Sequence, residues 1–268
     1  MTAVISTTYD NKYLYFLPIC VWAWNRLGVD VICFMPHLDA DYDNNKKFDL
    51  LMKVKREQGL NFYCHEFIAP KHKESTYAQC SRLYAACLDL PEDDIIVMGD
   101  IDLIPFKIPP YANDRFTILG ADLVPDKQLP MCFVSAPVKL WREDFCKNRT
   151  YQQCLDDLVG VIECEHFRGN QWCLDQSELY NGISKSNNQR TLIPRARPNT
   201  QFANHRVDRD DINWRSYVNE DLIDAHLWRD GFTDANFANI MELLKMKFPN
   251  ESFDWLVDYT NEYRKLVG

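Results

Sequence analysis

Glycine is scarce, with 9 in 268 residues, and neither G-x-G-x-x-G nor G-x-x-x-x-G-K-[ST] occurs. Rossmann dinucleotide binding and P-loop chemistry therefore lose their usual handle. No C-x-x-C occurs either, so a structural zinc site of the ribbon type has no support. The 10 cysteines stand at scattered positions among mostly apolar neighbours, which predicts free thiols in a reducing compartment rather than a disulfide framework. Positive charge is short as well: 30 Lys+Arg against 39 Asp+Glu leave a formal charge of −9. Such a chain has no global electrostatic reason to bind nucleic acid or an anionic membrane face. A phosphate ligand would need local positive charge or a metal ion. Also missing is a membrane span. The uncharged stretch Tyr13–Trp24 is only 12 residues long, contains Pro18 and follows Asp10 rather than a cationic run. A bilayer span needs about 20 apolar residues. The stretch reads as a buried helix of a soluble protein.

Hydrophobic residues make up 46% of the chain, charged residues 26% and aromatics 13%, ordinary globular usage rich enough in rings for stacking grooves. This excludes a disordered chain, a collagen, a coiled coil and a short disulfide scaffold. The length is near the upper end of what one core serves. Ala3–Thr7 reads as a buried strand ending in a polar loop, with Asp10 capping the next helix and Gly28 ending it. Val29–Met35 is a second buried strand closed by Pro36, Phe48–Val54 marks a helix stopped at Gly59, and Asn61–Ile68 is a third strand. From Ser75 the residues Tyr77, Cys80, Leu83, Tyr84, Cys87 and Leu88 share a helical face, and Ile95–Met98 follows as a fourth strand. Strand–helix alternation with continuous apolar strands predicts an α/β fold with a parallel sheet covered on both faces. Further strands are expected at Phe116–Leu123 and Met131–Ala136, some antiparallel, with helices over 137–147, 150–164 and 174–182. A loop follows from Pro194 to Arg209, then two amphipathic closing helices.

Asp100 and Asp102 follow the fourth strand directly, in Gly99-Asp100-Ile101-Asp102-Leu103-Ile104-Pro105. Ligands of open α/β sheets bind beyond the carboxyl ends of strands. In extended chain, positions i and i+2 point the same way, so both carboxylates can reach one hard cation, Mn²⁺ or Mg²⁺, with Gly99 allowing close approach. Such an ion would bridge a diphosphate and neutralise charge on a leaving nucleotide. A D-x-D triplet also occurs as a simple turn cap; the buried strand before it and the apolar residues after it favour a site.

This arrangement resembles the nucleotide-sugar glycosyltransferases of the GT-A fold over roughly residues 1–230. The resemblance implies a GT-A-like, Rossmann-like mixed and mainly parallel central sheet flanked by helices, with C-terminal helices. It divides into a nucleotide-binding half (1–105), an acceptor and donor-sugar half (106–232) and a helical extension (233–268). By position it implies that Thr7, Thr8 and Tyr9 hold the base and ribose, that Asp39 or Asp41 meets the base, and that Arg82, Ile101 and Arg229 help bind the nucleotide. Asp100 and Asp102 would hold the metal, with His226 or, second, His205 completing its shell. Arg229 stands where the pattern has lysine. The segment around Asp175-Gln176 resembles the family's second carboxylate region. There Asp175 is either the base that deprotonates the acceptor, giving inversion, or, with Gln176, a binder of donor sugar as in retaining members. Trp172 suits a sugar platform. Arg195, Arg197, Arg206 and Arg209 lie in a loop that is either a lid or solvated surface.

The activity implied is metal-dependent transfer of a sugar from a nucleoside diphosphate, UDP foremost, to a hydroxyl of a glycan or glycoconjugate. Three alternatives remain at this point. A haloacid dehalogenase-like phosphatase would want a small residue where Ile104 stands and a D-x-D on its first strand. A nucleotidylyltransferase would show a glycine- and lysine-rich phosphate loop after the first strand. A non-catalytic nucleotide-sugar or glycan-binding module would bind donor without turnover. The sequons Asn148-Arg149-Thr150 and Asn250-Glu251-Ser252 allow a luminal catalytic domain lacking its anchor, although scattered cysteines and no visible signal favour the cytoplasm.

Overall fold

The computed structural model describes residues 1–37, 46–69, 74–163, 173–194 and 206–268. The apolar strands expected at the start of the chain are Thr2–Ser6 (β1), Asp30–His37 (β2), Phe62–Ile68 (β3) and Ile95–Met98 (β4). Asn11–Leu14 (α1), Leu17–Arg26 (α2), Lys46–Glu57 (α3) and Glu74–Ser81 (α4) connect them, the last continuing as a 3₁₀ turn, Arg82–Cys87. Later come the strands Leu103–Pro105 (β5), Phe116–Leu119 (β6), Val134–Pro137 (β7), Arg190–Ile193 (β8), Val207–Asp208 (β9) and Asp224–His226 (β10). The remaining helices are Val138–Trp141 (α5), Tyr151–Glu163 (α6), Leu174–Lys185 (α7), Asp234–Lys247 (α8) and Asp254–Val267 (α9), with a π-helical turn at Arg142–Cys146.

Seven strands form one sheet in the order β3-β2-β1-β4-β7-β6-β8. The pairings β1–β2, β2–β3, β1–β4 and β6–β8 are parallel, and β7 runs antiparallel to both β4 and β6. Period-2 alternation divides these buried strands between two cores. Ala3, Ile5, Val31, Cys33, Met35 and Val97 pack on one face under α2, α3 and the C-terminal helices. Val4, Ile32, Phe34, Ile96 and Met98 pack on the other face with residues of α4, α5, α6 and α7. A mixed, mainly parallel sheet covered on both faces is the architecture expected from the sequence.

The C-terminal helices belong to the first core. The Tyr15 ring stacks on Tyr259 at a centroid distance of 5.5 Å, and its hydroxyl is 2.8 Å from that of Thr260. Tyr263 donates to the Asn11 carbonyl at 2.9 Å, so α9 closes over the junction of α1 and α2. Among the described residues, no helix is long and apolar enough to cross a membrane.

Several local expectations need correction. The stretch Tyr13–Trp24 is two helices rather than one: α1 stops at Leu14, and Pro18 falls in the first turn of α2, where a missing N–H costs nothing. Asp10 does cap α1, accepting from the Lys12 N–H at 2.8 Å, and Gly28 beyond α2 is left-handed with φ 73°. Pro36 does not close β2, which continues to His37. The β1 partner ends at Ser6 opposite Phe34, so Pro36 faces a ladder on the β3 side alone and its absent donor is not missed. The helix from residue 74 tightens to 3₁₀ at Arg82, and β6 stops at Leu119 because Gly120 turns left-handed at φ 84°. The short strands β8, β9 and β10 were not expected; β8, Arg190–Ile193, is partly exposed along its length and carries no apolar run.

Gly231 precedes α8 at a point where a Cβ would lie 2.7 Å from Phe16, 2.8 Å from Ile240 and 2.9 Å from Tyr15. All three side chains are at most 1% exposed, so none can yield cheaply. Gly231→Ala should lower the unfolding free energy by about 1–3 kcal/mol, measured by urea denaturation, whereas Gly→Ala at an unconstrained site is usually neutral or stabilising.

Candidate active site

A cleft of about 370 Å³ opens at the carboxyl ends of β1 and β4, and it gathers residues from most of the chain. Thr7 and Thr8 form one wall, where the chain leaves β1. The Thr7 N–H donates to the Phe34 carbonyl at 3.0 Å, and the Thr8 hydroxyl accepts from the Asp10 N–H at 3.3 Å, which fixes a tight turn. Tyr9 does not line the cleft: its ring lies 6.2 Å from that of Phe48, and its carbonyl accepts from Lys47 Nζ at 2.6 Å. Tyr13 lines the cleft instead. Burial, reinforced by the Asp102 charge, pushes its phenol above the ordinary value.

The D-x-D does not sit on extended backbone. The Leu103 N–H donates to the Asp100 carbonyl at 3.2 Å, so the two carboxylates are carried on a turn and point to different partners. Against the protein's own atoms a Cβ at Gly99 would make only ordinary contact, with Trp24 at 3.5 Å. The Gly99 carbonyl accepts from Arg82 Nη1 at 2.7 Å.

Arg82 is 3% exposed and spends its donors on this turn and its surroundings. Nη1 also donates to Asp100 at 2.8 Å and Nη2 to Asp175 at 2.9 Å, while Nε donates to the Gln79 carbonyl at 3.2 Å. Asp175, in the first turn of α7, accepts a second bond from the Gln176 N–H at 2.8 Å. Burial raises its carboxyl from the usual 3.8 to about 6. The opposing pull of Arg82 is weakened because Asp100 shares that guanidinium and adds its own negative charge. Gln176 lines the cleft beside it.

On the other side of the D-x-D, strand register sets the geometry. Antiparallel pairing of β10 with β5 places His226 opposite Leu103, and parallel pairing with β9 places it beside Asp208. His226 Nε2 is therefore 3.3 Å from Asp102, and Nδ1 is 3.7 Å from Asp208. Arg209 Nη1 donates to Asp102 at 2.7 Å. Burial alone would raise the Asp102 carboxyl, but His226 and Arg209 outweigh it and hold it well below the usual range. Asp208 is held at about 2 against its burial, again by His226. The same two carboxylates raise the imidazole above its ordinary value although burial opposes this. Arg206 makes a bidentate pair with the fully buried Asp224 at 3.0 and 2.6 Å, which ties the start of β9 to β10. Arg229 lines the cleft with no ion pair among the described residues.

Four aspartates (100, 102, 175 and 208) and four arginines (82, 206, 209 and 229) thus line a cleft in a chain of net charge −9. Ile101, 5% exposed, anchors the turn into the first core. Carboxylate and imidazole donors at Asp102 and His226 suit a divalent cation. Among the described residues, no group of three or more His, Cys, Asp and Glu side chains is gathered tightly enough to hold one, and Asp100 is paired with Arg82. Trp172, His205, Asp39, Asp41, Arg195 and Arg197 lie outside the described residues. Tyr13 and Asp208 escaped the sequence reading. Tyr13 sits inside an apolar stretch, and Asp208 is one of several acidic residues in a polar loop, so only the strand pairing marks it.

No protein-family model matches this chain, and no curated protein matches it in sequence. Among solved structures, the galactosyltransferase LgtC in complex with donor and acceptor sugar analogs is similar at a TM-score of 0.51 and 11% identity, covering 97% of this chain and 100% of its own. A structure of an active-site mutant of LgtC is similar at a TM-score of 0.51 and 11% identity, over 92% of this chain and 100% of that one. At this identity the likeness speaks for the fold, which is GT-A-like.

Because folding raises the Asp175 pKa, its proton favours the native state below the unfolded value of 3.8, and that contribution is lost as pH rises through about 6. The unfolding free energy of the wild type should therefore fall relative to that of Asp175→Asn across this window, by on the order of 2 kcal/mol. Urea titrations at several pH values check this; parallel pH profiles would refute the assignment.

Proposed function

We propose that the protein is a glycosyltransferase that moves a sugar from a nucleoside diphosphate, UDP foremost, to a hydroxyl of a glycan or glycoconjugate with the help of Mn²⁺ or Mg²⁺. The observation that carries this reading is the convergence, in one cleft at the strands' carboxyl ends, of Thr7, Thr8, Asp100, Asp102, Asp175, Gln176, His226 and Arg229. The GT-A-like fold supports it.

Asp100, Asp102 and His226 would hold the cation. Asp102 and His226 already lie within 3.3 Å, and Asp100, 36% exposed, would have to exchange its contact with Arg82 for the cation. When bound, the ion neutralises charge that develops on the departing diphosphate. Arg229, which lines the cleft with no ion pair among the described residues, would bind phosphate oxygens and supply local positive charge that the chain as a whole lacks. Thr7 and Thr8 would meet the base and ribose, with Tyr13 lining the cleft beside them.

Asp175 is poorly disposed to act as a base. It is 3% exposed, and its two oxygens accept from Arg82 and the Gln176 N–H. Holding the donor sugar, together with Gln176, suits it better. That supports transfer with retention, which anomeric ¹H NMR of the first-formed product tests directly.

A screen of nucleotide sugars for Mn²⁺-dependent release of nucleoside diphosphate tests the activity and separates an enzyme from a module that only binds donor. Asp100→Asn and Asp102→Asn should each weaken Mn²⁺-dependent UDP binding by tenfold or more, with unchanged circular dichroism, because each removes a charged oxygen ligand. Calorimetric titration measures this, and undiminished binding in both variants defeats the proposal.

A further inference from the structure

Away from the cleft, three cysteines from three elements converge under α6. Cys87 ends the 3₁₀ turn that Arg82 begins, Cys146 ends the π-helical turn, and Cys154 lies near the start of α6. The sulfurs of Cys87 and Cys154 are 3.7 Å apart, in van der Waals contact across 67 residues of sequence. Cys154 Sγ also lies 4.0 Å from the Cys146 carbonyl. All three are free thiols; Cys146 and Cys154 are buried, and Cys87 is half-buried.

Simple packing would be served by three apolar side chains of similar size. The three sit in the second apolar core, yet with a cation beside them. Arg149 donates to the carbonyls of Phe145 and Cys146, at 2.6 and 3.0 Å, and pairs with Asp157 at the side of α6. An accessible thiol in contact with a buried one is the arrangement of an attacking and a resolving cysteine.

We propose that Cys87 and Cys154 form a reversible oxidation site that closes to an intramolecular disulfide under a peroxide-class oxidant. The Cys87 thiolate, at the half-buried and so more accessible position, attacks a peroxide oxygen, the O–O bond breaks, hydroxide leaves and Cys87 becomes a sulfenic acid. The buried Cys154 sulfur then attacks that sulfur, the S–O bond breaks, and the Cys154 proton leaves with the hydroxyl as water. The two thiols lose two electrons, and one peroxide is reduced to two waters. Only about 1.7 Å separates the present contact from a bonded distance of about 2.0 Å. The bond would fasten the 3₁₀ turn to α6. Arg82, which holds Asp100 and Asp175, stands at the other end of that turn.

The test uses the full reduced chain treated with a small excess of hydrogen peroxide, blocked with an alkylating agent and mapped as peptides without reduction. The expected product is a linked pair of peptides carrying Cys87 and Cys154, with total titratable thiols falling from 10 to 8 and returning to 10 on addition of dithiothreitol. Cys87→Ser, at a half-buried position the fold tolerates, should keep its remaining thiols under the same dose. Oxidation that leaves Cys87 unlinked to Cys154 in the wild type, or an equal thiol loss in Cys87→Ser, overturns the proposal.

Discussion

A single buried guanidinium holds the cleft in shape. Arg82 lies at the point where α4 tightens into a 3₁₀ turn, and it binds the carbonyl before the D-x-D, the first carboxylate of the D-x-D and the carboxylate at the start of α7. A buried cation of this kind is tolerable only if its donors are met and its charge is matched. Arg82 meets both conditions by drawing together residues 18 and 93 positions away. The nucleotide-side turn after β4 and the α7 segment from the second half of the chain are therefore parts of one ionic network. The position of Asp175 depends on the same contact that restrains Asp100.

The opposite wall of the cleft is organised by strand pairing rather than by a single charge. The three-stranded sheet β5-β10-β9 is small, yet its register sets His226 between Asp102 and Asp208. The buried Arg206–Asp224 pair secures that register from below. Guanidinium groups occupy both acidic sides of the D-x-D, Arg82 on Asp100 and Arg209 on Asp102. In an acidic chain this balance keeps two closely spaced carboxylates from repelling one another, and it leaves Arg229 as positive charge not committed to a carboxylate among the described residues.

Much of the first hundred residues was legible in the sequence. Continuous apolar runs at Thr2–Ser6, Asp30–His37 and Ile95–Met98, separated by helical spacing, leave little choice but a doubly covered parallel sheet. The later part was less legible. In β8 the residues Arg190–Ile193 give no apolar run, and β9 is two residues long, so both are strands only because a partner is present. The D-x-D was visible as a pair, but its backbone was misjudged. Spacing of two residues implies a shared direction only in extended chain, and here the Leu103 N–H folds the segment into a turn. Tyr13 was concealed by its apolar neighbours.

By itself the sequence determined what depends on local periodicity: the alternation of strands and helices through β4, the caps at Asp10 and Gly28, the two-sided burial of the sheet, and the placing of Asp100 and Asp102 at a strand's end. Tertiary structure alone decided which charge answers which. Arg82 faces Asp100, and Arg209, 107 residues away, faces Asp102 together with His226. The reason is physical. Hydrophobic periodicity is written in neighbouring residues, whereas an ion pair depends on a distance of a few ångströms between groups whose separation along the chain carries no information about it.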